Sequence, residues 1–428
     1  MSPHKRAGTL TAGVWLLMIA VLTLTPDLAA GTQKPSLCLI CGSRGGEDAV
    51  LNVLLFIPFG FGLRLRGTSR WRAWAVAIAT TATVELLQIY IPGRDSTLGD
   101  VVMNSIGGIT GILLCDSSRV LVFPSVRQAR WLLLSGSAVW LVLVALGGWA
   151  MRPWIPIGPY VAQVAPDLEN IELFEGRVTE ARLDDQAIVP DSPLAHGDAL
   201  HDSLVHGTLT LEARVVPAGP TYDLAPIVSI ASPKEPEVVV LGQDWRDAVF
   251  RVRLHSGSLR MNISEVAAAR VFPAARPSRV DDSTAYTIEL RGEVDGGKHL
   301  RVSSASMGTQ ESAELALSPF LLWSLATPGE RRTSRAFLIE SIVWVAMLLA
   351  PLGYWAGRWK MQLTLHDSRV ARVLPEIVLV AACVVGLAAM PMIFEFPVAD
   401  ASLWIAAVVA AAGVFAFTTR WRATTKDS

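Results

Sequence analysis

Eight apolar blocks punctuate this chain: Leu10–Thr25, Val50–Leu65, Arg72–Ile91, Leu98–Leu114, Trp131–Met151, Ala336–Gly357, Val373–Ile393 and Ala401–Thr419. A helix needs about 20 apolar residues to cross roughly 30 Å of hydrocarbon, so blocks of this length point to membrane spans. The second and fourth blocks are short and contain glycine. Only 18% of the 428 residues are charged and 51% are hydrophobic, against about 25% charged in soluble proteins. The polar stretch from Arg152 to Arg335 interrupts the series and is long enough for a separate domain. The predicted fold class is an α-helical polytopic membrane protein of about eight spans with an inserted all-β jelly-roll sandwich. Its expected parts are residues 1–151, 152–330 and 331–428. A net charge of −1 and the absence of a long Lys/Arg run leave nothing to favour nucleic acid.

Lys and Arg set the expected orientation, because cytoplasmic loops retain positive charge. The N-terminus and alternate loops hold sixteen, from Lys5 and Arg6 through Arg64, Arg66, Arg70 and Arg72 to Lys426, whereas the opposite short loops hold only Lys34, Arg44 and Arg94. Both termini are therefore expected in the cytoplasm and the large polar domain outside it. Arg331, Arg332 and Arg335 run against this count, but long domains translocate largely regardless of charge. The first block has a second reading as a cleavable signal peptide, with Lys5 and Arg6 before it and Leu28-Ala29-Ala30 as a cleavage site.

Five polar side chains sit on three of the spans: Asn52 on the second, Glu85 and Gln88 on the third, Asp100 and Asn104 on the fourth. Arg94 and Asp95 lie in the turn between the last two. Polar groups in lipid are costly and tend to face a bundle interior or a pathway. Asp48 and Asn52 are four apart, as are Asp100 and Asn104, so each pair shares a helix face. The orientation puts all of these groups at one depth, near the outer interface. Gly107 and Gly111 form a GxxxG pair on the fourth span, which predicts close packing against a neighbour. Pro58 within FIPFG frees a backbone carbonyl in the second.

The order Asn52-Val53-Leu54-Leu55-Phe56-Ile57-Pro58-Phe59-Gly60, Glu85-Leu86-Leu87-Gln88, Pro92-Gly93-Arg94 and Asp100-Val101-Val102-Met103-Asn104-Ser105-Ile106-Gly107-Gly108 resembles the VanZ family. The resemblance covers about residues 10–150. It implies a bacterial multi-span membrane protein, in a family whose founding member is associated with low-level resistance to the glycopeptide teicoplanin. It brings topology and residues rather than a named reaction.

Three readings of Asn52, Glu85, Gln88, Arg94, Asp100 and Asn104 stay open at this stage. They form a network holding three helices in register, with contacts worth about 0.6 kcal/mol each. Or they form a ligand-binding site for an amphiphile, with Arg94 on a phosphate or carboxylate and the amides on hydroxyl groups. Or Glu85 and Asp100 share a proton in catalysis, although no nucleophile–base arrangement or metal set accompanies them. The expected partners are membrane lipids and an envelope glycan or lipid-linked precursor, with no cofactor.

Cys38 and Cys41 form C-L-I-C in the first outer loop. A disulfide pinning that loop is the plainer reading; a metal half-site lacks its second half. Cys115 and Cys383 lie in or beside apolar spans and read as packing residues.

The polar domain reads as β structure. Apolar residues alternate in Thr208–Val216, Phe250–Leu254, Leu259–Ile263 and Tyr286–Leu290, between Gly, Pro, Asp and Ser turns. The order GTLTLEARVVPA, APIVSIAS and VVVLGQDWRDAVFRVRLHSGSLRMNI resembles the laminin-G and concanavalin-like jelly-roll families. That resemblance implies glycan or calcium binding without naming a ligand residue. His196, His201 and His206 recur every five residues, which suits neither a helix face nor a strand face, and they read as a solvated loop. Trp245 and Arg246 have the chemistry to stack on a sugar ring, and a place on an exposed sandwich edge explains them equally well. Glu340, Glu376, Glu395 and Asp400 accompany the last three spans, and Glu340 is placed to join the polar cluster if the bundles meet.

Overall fold

The computed structural model describes the chain except residues 1, 27–36, 43, 95, 168–170, 195–196, 234, 262–264, 275–285, 307, 327–333, 364–367 and 427–428. Lys34, Asp95, His196, Asn262, Ile263, Arg331, Arg332 and the candidate cleavage site at 28–30 lie outside the described residues.

The apolar blocks fold as helices α1 (Pro3–Leu24), α2 (Gly45–Leu65), α3 (Arg70–Gln88), α4 (Leu98–Val122) and α5 (Val126–Ala150) before the polar domain. The short helix α6 (Gly197–Val205) lies within it, and α7 (Ser334–Lys360), α8 (Arg369–Ile393) and α9 (Ala401–Arg420) follow it. Seven described helices are long and apolar enough to cross a membrane. The exception is α3, which carries Arg70, Arg72, Thr80, Thr81, Thr83, Glu85 and Gln88. Its 19 residues nonetheless span the height of its bundle, about 28 Å at 1.5 Å per residue. Arg70 at its start meets Asp116 near the end of α4, while Glu85 near its end meets Thr97 at the start of α4.

Helices α1 to α4 share one apolar core, with Ile19, Phe56, Ala73 and Ala77 fully buried. Glycine sets the spacing of α2 and α4. A Cβ on Gly111 would lie 1.9 Å from the Ile57 carbonyl oxygen, and one on Gly107 would lie 2.3 Å from that of Val53. The backbones therefore touch, as small residues permit in a bundle that has no hydrophobic drive within lipid. Pro58, which cannot donate to the Leu54 carbonyl, lies inside α2 without ending it. Helix α5 packs elsewhere: Leu133, Trp140 and Val144 share a second core with residues of α7, α8 and α9. The Trp140 indole donates to the Ala382 carbonyl at 3.0 Å, just ahead of a π-turn at Val385–Ala389 in α8. Three side chains of and just beyond α7 tie the two bundles together through the α4–α5 connection. Trp355 Nε1 donates to Leu121 O at 3.1 Å, Gln362 Nε2 to Pro124 O at 3.3 Å, and the Tyr354 hydroxyl to Val122 O.

Among the described residues the polar domain contains twelve strands. In chain order they are β1 (Val161–Val164), β2 (Arg177–Leu183), β3 (Gln186–Ala187), β4 (Ser192–Pro193), β5 (Thr208–Val216), β6 (Leu224–Ser232), β7 (Glu235–Asp244), β8 (Asp247–Val252), β9 (Val266–Ala268), β10 (Ile288–Asp295), β11 (His299–Ser306) and β12 (Thr309–Ala316). They form two antiparallel six-stranded sheets, ordered β4-β1-β6-β7-β8-β9 and β12-β11-β10-β5-β2-β3. The sheets face each other across one core, in which Phe250 of β8 fills the space that a side chain at Gly292 of β10 would need. That core continues into the helix ends through Met151, Phe337 and Phe396.

Two sequence expectations fail here. Leu259 ends a 3₁₀ turn (His255–Leu259) and Arg260 takes a left-handed conformation at φ 54°, so no strand begins at Leu259. His201 lies on helix α6 rather than in a loop, and its Nδ1 is 3.2 Å from the Tyr160 hydroxyl. Leu200 and Leu204, four apart and buried, explain the helix. No group of three or more His, Cys, Asp or Glu side chains with metal-binding geometry occurs among the described residues.

Candidate functional site

Helix α1 fits closely against α2 at one end, where Gly8 touches the backbone of Arg66 and Gly62 touches that of Ala12. At the other end lies a cavity of about 1050 Å³, bounded by α1, α2, the start of α4 and the α3–α4 turn. Trp15 forms part of its floor, and its indole donates to Leu55 O at 2.5 Å. One stripe of α2, led by Arg44 at its N-cap, grades from charged to apolar along the cavity: Arg44, Asp48, Asn52, then Leu55. These positions are spaced by four, four and three residues, so they share a face over about 16 Å. Leu22 and Leu54 line the cavity and are about half exposed.

The expected site residues divide into two layers. Asn52, Gln88, Arg94 and Asp100 line the cavity, together with Asp48. Asn52 Nδ2 donates to Asp100 Oδ1 at 2.6 Å, joining α2 to α4. Gln88 Nε2 donates to Thr23 O at 3.0 Å; Arg94 Nε donates to Thr25 O at 2.7 Å and its Nη2 to Leu22 O at 3.1 Å. These carbonyls belong to the last turn of α1, where a helix has no internal donors left and carries partial negative charge. Arg94 and Gln88 thus cap α1 and hold it beside the cavity.

Glu85 and Asn104 lie behind that layer, in the seam between α3 and α4. Glu85 Oε2 accepts from the Thr97 amide at 2.9 Å, and Ser96 also bonds its carboxylate. Asn104, nearly fully buried, donates from Nδ2 to Thr81 Oγ1 at 2.9 Å. The two carboxylates therefore have different partners, Glu85 on the α3–α4 turn and Asp100 on Asn52. The Oε1 of Gln88 and the Oδ1 of Asn104 are buried and meet no hydrogen-bond partner among the described residues.

Several participants were missed in the sequence. Thr97 caps α4 by accepting from the Asp100 amide at 3.1 Å, and Thr97-Leu98-Gly99-Asp100 carries the capping signature that would have marked it. Thr81 precedes Glu85 by four residues and Gln88 by seven, one α3 face. Trp15, Met103 and Arg44 carry no comparable signal. Glu340 lies on α7 and does not line the cavity.

A short loop roofs the cavity. Cys38 and Cys41 are joined by a disulfide and both line the cavity, as do Leu39 and Gly42. Cys38 O accepts from Gly99 N at 3.1 Å, tying the loop to α4. Arg260 of the β-domain reaches in from above: its Nη1 donates to Ile40 O at 2.6 Å, and its own carbonyl accepts from Gly46 N at 2.9 Å. A free amide at the start of α2 is thereby satisfied by the β-domain, which sits at the same end of the bundle as the cavity.

This arrangement coincides with a family match. The VanZ/LLP1 family model matches residues 13–121, from within α1 to the last turn of α4. The N-terminal bundle is VanZ-like. Searches of curated proteins and of solved structures gave no match. The VanZ-like unit holds every expected ligand-binding residue, and with the other apolar helices it makes this a membrane protein. Its boundary also agrees with the packing, since α5 lies past the match and shares its core with α7 to α9.

Proposed function

We propose that this protein is a VanZ-like component of the bacterial cell envelope that binds an amphiphile in the cavity between α1, α2 and α4. The observation that carries this is the cavity itself. Arg44, Asp48, Asn52 and Asp100 gather at one end, Trp15, Leu54 and Leu55 at the other, with the half-exposed Leu22 and Leu54 along the wall. A polar head and an apolar chain need that succession of walls, and ligand sites of about 300–1,000 Å³ are common.

In this reading α3 is an eighth span, both termini face the cytoplasm, and the cavity and β-domain face outward. The bias of sixteen cationic residues to three supports it. So does the Cys38–Cys41 disulfide, since such bonds persist outside the cytoplasm. The sandwich, taken as a jelly roll, would contact an envelope glycan or the carbohydrate of a lipid-linked precursor. A contribution to glycopeptide tolerance follows from the VanZ-like unit and is read out as teicoplanin sensitivity on deletion. Glu85 and Asn104 are best read as structural, because each is buried against a partner in the α3–α4 seam.

Ala49→Trp tests the site by filling the cavity from its wall. With a fluorescent phospholipid and the purified full chain, binding should weaken about tenfold, a loss near 1.4 kcal/mol. Unchanged binding by a variant with the parent melting temperature would sink the cavity as the site.

A further inference from the structure

We propose that the cavity selects amphiphiles with a zwitterionic headgroup, a cationic amine beside a phosphate, over amphiphiles of net negative charge. The proposal rests on the amphiphile reading above and adds the headgroup class. Its basis is the charge inventory of the polar end. Among the described residues, two guanidinium groups line the cavity, on Arg44 and Arg94, and two carboxylates, on Asp48 and Asp100. Glu85 stands directly behind Thr97, and Glu47 is buried next to Asp48 in the first turn of α2. The polar end is thus no cationic patch.

Arg94 is partly committed already: two of its five N–H groups donate to the Leu22 and Thr25 carbonyls, which leaves three for a headgroup. An anionic head entering here would bring net negative charge beside Asp48 and Asp100, and like charges repel. A zwitterion avoids this. Its phosphate lies toward Arg44 and Arg94 and its ammonium toward Asp48 and Asp100, so opposite charges face each other across the contact. Leu22, Leu51, Leu54, Leu55 and Met103 accept the chain in either case.

The test is competitive retention by the full-length protein in detergent, read by native mass spectrometry. The probes are dioleoyl phosphatidylethanolamine, dioleoyl phosphatidylglycerol and a dioleoyl trimethylammonium lipid, which share their chains and differ in head charge. Phosphatidylethanolamine should be retained about fivefold over phosphatidylglycerol and over the cationic lipid. Asp48→Asn and Asp100→Asn should each erase or reverse the preference over phosphatidylglycerol, with Asp116→Asn at the far end of the bundle as the control that leaves it intact. Equal or stronger retention of phosphatidylglycerol overturns the headgroup class and leaves amphiphile binding standing. Strongest retention of the cationic lipid overturns it too, as does a preference that neither Asp48→Asn nor Asp100→Asn alters. If none of the three lipids is retained, the amphiphile reading falls along with it.

Discussion

The two ends of the VanZ-like bundle are built on opposite plans. At the end away from the β-domain, Asp116 of α4 receives Arg64 Nε of α2 and Arg70 Nε of α3, each at 2.6 Å, and Arg64 also donates to Thr68 O. One carboxylate binds two guanidinium groups, and α1 closes on α2 through Gly8 and Gly62. At the other end helix α1 is held by carbonyl caps from Arg94 and Gln88, and a cavity of about 1050 Å³ remains. Polar side chains in a membrane bundle therefore do two different jobs here. The difference is visible in what backs them, glycine and backbone at one end, a disulfide-bonded loop and a second domain at the other.

The strongest way to break the comparison is to wedge the closed side. Gly111→Val would place its Cβ about where the Ile57 carbonyl oxygen now lies, at 1.9 Å, and neither backbone can yield without parting α2 from α4. Overpacking of this kind costs about 3 kcal/mol or more, a fall of about 10 °C in the melting temperature of the protein in detergent. Gly99→Ala looks similar on distance, 2.3 Å from Leu39 O, but its neighbour is the roof loop rather than a helix. It should leave melting nearly unchanged and lower lipid retention. Equal melting losses in the two variants would show that the open end is packed as firmly as the closed one.

Next in size is the Asp116 clamp. Asp116→Ala leaves two guanidinium groups facing each other without their carboxylate. The Arg70 arm is largely exposed and contributes little, whereas the better covered Arg64 arm accounts for most of an expected loss of about 2 kcal/mol. The matching readout is a melting temperature that drops while the preference among bound lipids stays. A changed lipid preference would mean that the two ends communicate.

How much of this contrast is legible in the sequence follows from what each contact depends on. The level of Asp48, Asn52, Gln88, Arg94 and Asp100 follows from helix periodicity and from spans joined by short turns, which must run antiparallel. The apolar blocks likewise announce their helices, and the alternation in Thr208–Val216 announces β5. The separation of Glu85 and Asn104 from the cavity is not legible, because it depends on how α3 and α4 are rotated to bring Asn104 onto Thr81. The contact of Arg260 with Ile40 spans 220 residues and uses a main-chain carbonyl as acceptor, so no pattern of side chains encodes it. Helix α5 is as apolar as its neighbours on both sides, and hydrophobicity cannot tell such a helix which bundle to join.

Removing the disulfide probes the roof. Cys38→Ser with Cys41→Ser releases a loop of four residues, for which chain entropy allows a loss of no more than about 2 kcal/mol. Cys38 O would still accept from Gly99 and Ile40 O from Arg260, so the roof should loosen rather than detach. Faster exchange of bound lipid with a small change in melting is the expected outcome. Slower exchange would mean that the bond holds the cavity open instead of covered.

The finest test is Asn52→Ala. Asn52 Nδ2 donates to Asp100 at 2.6 Å, and interhelical bonds of this type in lipid contribute about 0.6 kcal/mol on average. Stability should therefore fall by an amount near the limit of a melting measurement. The cavity, however, loses the amide that orients Asp100 at its polar end, so lipid affinity should drop by more than the factor of about three that 0.6 kcal/mol represents. If affinity and stability fall together by the same small amount, Asn52 belongs with Asn104 as a bond between helices. If affinity falls alone, the polar residues of the open end serve a ligand, and the likeness between the two ends stops at their composition.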